Sequence, residues 1–206
     1  MTTYIVAAGD SMLSIAQNNG FFWETLWNHP QNAKLKELRK DPELLAPGDE
    51  VFIPDLRVTP VSRPTEATHK FKLKGVPAKL KIQLTILDQP RANERYVLKI
   101  DDQLFEGTTD SEGHLEHFIP PNASGGELQL NDGKEIIPVR LGHLNPVDLL
   151  SGVQQRLNNL GLYCAEDGEM SDETAAALRG FQAKHGLPVT GEADSATKAK
   201  LQDLHP

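Results

Sequence analysis

The spacing of apolar residues changes twice along this chain of 206 residues. It follows a helical period over roughly the first third of the chain, alternates strictly from Lys79 to Ile86, and becomes helical again from Pro146. The segment between the first two blocks has two prolines, three threonines and few apolar residues, which is typical of an extended linker. The sequence therefore predicts a multidomain α+β protein. The predicted segments are a domain at 1–56, a linker at 57–70, a domain at 71–145 and a domain at 146–206.

The first block predicts the order strand, helix, helix, strand. Its first strand covers Tyr4 to Val6, and Asp10 or Ser11 can cap the helix that follows by accepting a hydrogen bond from an amide of the first turn. The second helix is expected to end at Pro30, because proline has no amide hydrogen and clashes with the preceding turn. A Pro-Gly turn then leads into a closing strand at 51–53.

This order carries Y-x-V-x-x-G-D-S-x-x-x-I-A at one end and L-x-P-G-D-x-V-x-I-P at the other. Between Tyr4 and Pro54 the block therefore resembles the LysM module, with a βααβ fold. The resemblance implies that a glycan containing N-acetylglucosamine lies in a shallow groove between two loops. The groove residues that it implies are Gly9, Asp10, Ser11, Met12, Leu13, Leu44, Leu45, Ala46, Pro47 and Gly48.

One segment departs from the LysM pattern, because the connection at 28–42 is longer and more charged than usual. One interpretation is an extra helical turn that buries Leu35 and Leu38 and leaves its charges in solvent. The other is a surface that docks a protein. This expanded form also resembles LysM segments found beside the spike genes of contractile injection systems such as type VI secretion.

The middle block predicts an all-β sandwich, because short alternating runs recur between turn sequences. In the run from Lys79, the residues Leu80, Ile82, Leu84 and Ile86 are expected on the buried face. The block resembles the carboxypeptidase-regulatory or immunoglobulin-like sandwiches that act as spacers. His114 and His117 are three positions apart on a strand and point to opposite faces, so no metal site is predicted.

The last block predicts a three-helix bundle with an internal repeat. Gly161-Leu162, Gly168, Thr174 and Leu178 recur as Gly186-Leu187, Gly191, Thr197 and Leu201. The block resembles the three-helix peptidoglycan-binding domain over its full length. The candidate binding residues are Asp167, Gly168, Thr174 and Gln182. A tight turn and a helix start also require a glycine and a threonine at such positions, so a structural role for Gly168 and Thr174 stays open.

Charge and missing motifs exclude several classes of function. Residues 1–56 have 4 basic and 8 acidic groups, and residues 146–206 have 5 and 9, within a net charge of -8. Acidic end modules argue against nucleic acid as a partner, because such binding depends on Lys and Arg. No run of about 20 apolar residues predicts membrane insertion. No nucleophile with its base, metal cluster or carboxylate pair predicts catalysis, and no cofactor is expected. Cys164 is expected to fill space or to be a partly exposed thiol.

The sequence thus predicts a non-catalytic, peptidoglycan-binding accessory protein. Its expected partner is a glycan that contains N-acetylglucosamine, and a spike, tip or effector protein of a contractile injection apparatus is a further expected partner. The alternative is an assembly protein whose end modules bind proteins rather than glycan. The start of the sequence lacks the features of a secretory signal. We therefore expect cytoplasmic synthesis, with export to the periplasm or a target cell by such an apparatus.

Overall fold

The computed structural model describes residues 2–56, 65, 68, 78–142 and 144–205. The predicted linker at 57–70 lies outside the described residues except at two positions, as do residues 71–77. The chain contains both helices and antiparallel sheets, as expected for an α+β protein. Within the described part, no helix is long and apolar enough to cross a membrane. Three apolar cores form, one in each block, and they are called here the N-terminal, middle and C-terminal cores.

The N-terminal block pairs its first and last strands in antiparallel register around a helical centre. Its elements are β1 (Thr2–Ile5), α1 (Met12–Asn18), α2 (Trp23–Trp27), a 3₁₀ turn (Pro30–Asn32), α3 (Ala33–Arg39) and β2 (Glu50–Ile53). Ser11 is the N-cap of α1, and it forms a reciprocal capping box with Ser14. Asn32 is 1% exposed. Its side-chain amide donates to the carbonyls of Leu26 and Phe52 and accepts from the Phe52 backbone amide, so it connects the helices to β2.

Helix α3 is the observed form of the extra connection in this block. Leu35 is buried, but Leu38 is 62% exposed, so the expectation that both leucines are buried is wrong for Leu38. The helix has only seven residues and ends at Lys40, which has a positive φ of 62°. The buried face of α3 continues from Leu35 at i+4 with Arg39, whose side chain is 9% exposed and pairs with Asp49, so Leu38 lies outside that face.

The middle block contains three antiparallel sheets in its described residues, and two of them share one core. Its strands are β3 (Ala78–Gln83), β4 (Thr85–Ile86), β5 (Gln89–Pro90), β6 (Arg95–Ile100), β7 (Gln103–Thr108), β8 (His114–Ile119), β9 (Gly125–Leu130) and β10 (Glu135–Arg140). The larger sheet has the order β10-β9-β6-β7, and β3 pairs with β8 in the smaller one. Buried residues from both sheets pack together, including Leu98 and Leu115.

The alternating run from Lys79 does not form one continuous strand. It is interrupted at Leu84, which is buried, and continues as the hairpin β4-β5. Ile86 lies in that hairpin and is 61% exposed, so its expected burial is wrong. The physical reason is the turn at Leu87 and Asp88, where φ is positive at both residues and the chain reverses away from the core.

The C-terminal block contains α4 (Leu150–Asn159), α5 (Asp172–Lys184) and α6 (Ser195–Leu204) around the C-terminal core. Ser171 caps α5 and Asp194 caps α6, each by accepting a hydrogen bond from the amide three residues later. Gly161 ends α4 with a φ of 81°.

Polar contacts join the three blocks. The Arg39 guanidinium of α3 lies 3.2 Å from a carboxylate oxygen of Asp148, which precedes α4. Lys184 on α5 pairs with Asp88 at the tip of the β4-β5 hairpin. The backbone of Gly142, which follows β10, packs against the backbone of Gly9 in the N-terminal block.

Candidate functional site

Two turns of the same form lie side by side in the N-terminal block, and they are called here the Gly-Asp turns. They cover residues 7–10 and 46–49, and both read Ala-x-Gly-Asp. In each turn the aspartate carboxylate accepts a hydrogen bond from the alanine amide, at 2.8 Å for Asp10 and 2.9 Å for Asp49. The aspartate amide donates back to the alanine carbonyl, and both glycines have a φ of 93°. Any other residue would be strained at these glycine positions.

Backbone hydrogen bonds hold the two Gly-Asp turns together. The Gly48 amide donates to the Val6 carbonyl at 2.8 Å, and the Val6 amide donates to the Asp49 carbonyl at 2.9 Å. The Met12 amide donates to the Pro42 carbonyl at 2.8 Å, which joins the start of α1 to the second loop. The two loops that the sequence predicts as groove walls are therefore adjacent and rigidly connected.

The predicted groove residues differ in how much surface they offer. Four have side chains in the interior, at 0 to 8% exposed: Met12, Leu13, Leu45 and Ala46. The others are half-buried or exposed: Gly9, Asp10, Ser11, Leu44, Pro47 and Gly48. Leu13 also lines a small cavity of about 80 Å³, together with Phe21, Trp23 and Pro121 of the middle block. A ligand of this surface would meet mainly backbone atoms and small side chains.

The aspartate carboxylates of both Gly-Asp turns accept hydrogen bonds from neighbouring side chains. The Tyr4 hydroxyl donates to Asp10 at 2.8 Å, and this hydrogen bond raises the pKa of Tyr4. Arg39 binds Asp49 with two parallel hydrogen bonds of 2.8 and 2.9 Å, and these bonds raise the pKa of Arg39. Asp49 is thus paired with a cation, whereas Asp10 is held by two neutral donors, the Tyr4 hydroxyl and the Ala7 amide.

The C-terminal block contains a buried hydrogen-bond network around the side chain of Gln154. Its amide nitrogen lies 3.0 Å from Asp167 Oδ1, 2.9 Å from the Glu169 carbonyl and 3.1 Å from Thr174 Oγ1. Its amide oxygen accepts from the Gly168 amide at 2.8 Å. One fully buried glutamine therefore holds the loop that leads into α5.

A second network around Gln182 repeats the first. The amide nitrogen of Gln182 lies 3.0 Å from Thr190 Oγ1, 2.9 Å from the Glu192 carbonyl and 3.0 Å from Thr197 Oγ1. Its oxygen accepts from the Gly191 amide at 2.9 Å, as Gln154 does from Gly168. The sequence repeat of glycine and threonine is thus a repeat of one loop structure.

The four predicted binding residues of this block fall into two groups. Thr174 and Gln182 are 0% exposed, so their side chains contact only the protein in this conformation. Asp167 and Gly168 are exposed and lie on the loop held by Gln154. The candidate list contained Gln182 but omitted Gln154, although the repeated Gly and Thr positions indicated that each loop has its own partner.

The same loop exposes an aromatic ring. Tyr163 is 82% exposed and stands next to Cys164, whose amide and carbonyl are both bound by the Asn158 side chain. The loop from Tyr163 to Gly168 is therefore fixed at two points by buried or half-buried side chains of α4. It presents a large flat apolar face beside exposed polar groups, which is the combination that sugar rings bind.

Arg156 is the largest fully buried side chain of the described residues. Its guanidinium donates to the carbonyls of Asn145, Gly152 and His205, so it joins both ends of the C-terminal block to α4. Burial lowers the pKa of Arg156, and the nearby carboxylate of Asp41 opposes that shift. This arginine thus has a structural role and brings the N-terminal block close to α4.

The described residues contain no group of three or more His, Cys, Asp or Glu side chains that could hold a metal ion. His117 is bound by the Tyr96 hydroxyl at 2.8 Å and stacks on Phe105. Burial raises the pKa of the Cys164 thiol, which disfavours the reactive thiolate.

Comparison with known proteins gives one match. Residues 148–201, which contain α4, α5 and most of α6, match the family described as "Putative peptidoglycan binding domain". No curated protein and no solved structure matches the chain. The match supports a peptidoglycan-binding module in the C-terminal block and peptidoglycan as its partner.

Proposed function

We propose that this protein binds peptidoglycan without cleaving it, through the C-terminal block and through a LysM-like groove in the N-terminal block. The single observation that carries the proposal is the family match over 148–201. A family of binding domains supports a role in attachment to the cell wall. The middle block then acts as a spacer between two glycan sites.

In the C-terminal block, the proposed contact surface is the loop from Tyr163 to Gly168. The ring of Tyr163 would stack on the apolar face of a sugar, and Asp167 would accept hydrogen bonds from sugar hydroxyls or acetamido groups. Thr174 and Gln182 would support binding by holding the two repeated loops in shape. Rigid support of a contact loop favours binding, because less conformational entropy is lost when the ligand is ordered.

In the N-terminal block, the proposed surface is formed by the two Gly-Asp turns. The antiparallel pairing of β1 and β2 around helices and the paired turns support a LysM-like use of this block, to which α3 is an addition. Pro47 and Gly48 bring exposed backbone to the surface, where acetamido groups of N-acetylglucosamine could exchange hydrogen bonds with it. Two weak sites on one chain would strengthen attachment to a polymer through effective concentration.

The test is co-sedimentation with purified insoluble sacculi, followed by measurement of the bound fraction and of released soluble fragments. We expect the protein in the pellet with no release of muropeptides. Replacement of Tyr163 by alanine should weaken binding about tenfold, since loss of an aromatic contact at a binding centre costs about 1.4 kcal/mol or more. Phe118→Ala is the matched control, because Phe118 is also exposed, at 65%, but lies on β8 of the middle block. Protein left wholly in the supernatant would refute the proposal.

A second candidate is a protein-binding role in a contractile injection apparatus, with a spike, tip or effector as partner. The observation that favours it is the exposed Leu38 on α3, the helix that the LysM pattern lacks. Replacement of Leu38 by glutamate should then abolish co-purification with such a protein and leave sedimentation with sacculi unchanged. If the wild-type chain retains no partner in a native pull-down, this candidate fails.

A further inference from the structure

The N-terminal candidate groove is in contact with the chain that leads into the C-terminal block. A Cβ atom added to Gly142 would lie 2.4 Å from the carbonyl oxygen of Gly9. Real Cβ atoms do not approach oxygen so closely, so only glycine permits this contact. Gly9 is a residue of the first Gly-Asp turn, and its carbonyl faces Gly142 rather than open solvent.

A second contact lies beside the other Gly-Asp turn, between α3 and the residues before α4. Arg39 binds Asp49 of that turn and also reaches Asp148 at 3.2 Å. Arg39 is 9% exposed and Asp148 is 63% exposed, so the ion pair lies at the rim of a buried region. These contacts join residues about 100 or more apart in sequence.

We infer that the C-terminal block, together with Gly142 at the end of the middle block, regulates the N-terminal glycan site by covering its Gly9 side, so that the chain is closed until these parts separate from the N-terminal block. The inference rests on the proposed function, since it concerns the groove formed by the Gly-Asp turns. A glycan that needs the Gly9 side of the groove competes with Gly142 for it. Binding at the N-terminal site is then weakened by the fraction of molecules that are closed.

The arrangement has a consequence for attachment to a wall. When the C-terminal block engages glycan, any pull on the Arg39–Asp148 contact exposes the N-terminal groove next to the same polymer. Both blocks have the same sign of net charge, with 8 acidic against 4 basic groups in residues 1–56 and 9 against 5 in residues 146–206. The closed form therefore depends on local contacts rather than on overall attraction, and a single substitution can shift it.

Two variants separate the blocks by different means. Asp148→Lys places a cation against Arg39, and Gly142→Ala forces a methyl group against the Gly9 carbonyl. Each has a matched control. Asp203→Lys makes the same change in net charge at an exposed carboxylate of α6 that pairs with Lys200 instead. Gly186→Ala adds the same methyl group at a similar backbone angle, with a φ of 68° at Gly186 and 70° at Gly142. A methyl group on Gly186 would meet no atom within 4 Å.

Two measurements are made on the full chain. Solution scattering without glycan reports separation of the blocks. Titration with the hexamer of N-acetylglucosamine, followed by tryptophan fluorescence, reports the N-terminal site alone, because Trp23 and Trp27 are the two tryptophans of the chain. We expect both variants to be more extended than the wild type and to bind about tenfold more tightly, while both controls behave like the wild type.

The other outcomes overturn the inference in distinguishable ways. If the variants are no more extended than the wild type, or bind the hexamer with its affinity, the groove is not covered and glycan binding stands by itself. If the variants are extended but neither they nor the wild type change fluorescence with the hexamer, the N-terminal block is not a glycan site. In that case the regulation and that part of the proposed function fail together, while the contact between the blocks remains.

Discussion

Replacement of Gln182 by alanine distinguishes a structural role for this residue from a ligand contact. Its side chain is 0% exposed and lies within hydrogen-bond distance of three acceptors and one donor. The amide nitrogen has only two hydrogens, so it satisfies two of its three acceptors well at a time. Its oxygen also accepts a hydrogen bond from the buried Gly191 amide, so the alanine replacement removes about three hydrogen bonds in all.

Each such bond contributes about 1 kcal/mol net, so Gln182→Ala should reduce the free energy of unfolding of the C-terminal block by about 3 kcal/mol. Gln154→Ala should have a similar effect, because the first network repeats the second. Gln202→Ala is the matched control, since Gln202 is exposed on α6 and should change stability by less than about 0.5 kcal/mol.

The assay uses Cys164, the lone cysteine of the chain, which packs against the C-terminal core. Pulsed thiol labelling in increasing urea reports unfolding of this block, while tryptophan fluorescence reports the N-terminal block. We expect a lower labelling midpoint for Gln182→Ala with an unchanged tryptophan transition. A variant with wild-type stability that no longer binds sacculi would refute the structural role and return Gln182 to the list of ligand contacts.

Two other predictions concern the remaining cores. Asn32→Ala should reduce the free energy of unfolding of the N-terminal block by about 3 kcal/mol, because three hydrogen bonds of a buried amide are lost. The tryptophan fluorescence transition in urea measures this loss, and a midpoint equal to that of the wild type would contradict the prediction. Burial lowers the pKa of His117 below its ordinary value of 6.5. The unfolded chain then binds that proton more tightly, so stability should fall as pH decreases below about 6.5. NMR titration should give a His117 pKa below 6.5, and His117→Gln should reduce the slope of the free energy of unfolding against pH.

Several local features of the fold followed from the sequence. Ser11 was one of two candidate caps for the first helix, and it is the cap in the structure. The repeat of Gly168 and Thr174 as Gly191 and Thr197 was readable as spacing alone. Caps and turns depend on residues within about four positions, so a linear pattern contains the information that specifies them.

Burial at the edges of elements was less predictable. Leu38 and Ile86 fit the apolar pattern of their segments but are exposed. The chain reverses directly after Ile86, and the buried face of α3 continues with Arg39 instead of Leu38. Thr174 and Gln182 have polar side chains that suggest a surface, yet both are buried. Their partners lie 8 to 20 residues away in sequence, and no periodicity indicates such pairing.

By itself, the sequence determined the helical or strand-rich character of each block and the Pro-Gly turn before the closing strand, because these depend on local period and on turn chemistry. Only the tertiary structure decided which of the candidate residues remain accessible. It placed Gly142 against Gly9 and Asp148 against Arg39, across more than 100 residues of chain. Such contacts depend on shape and charge in three dimensions, and a single close approach between two glycines leaves no pattern in the sequence.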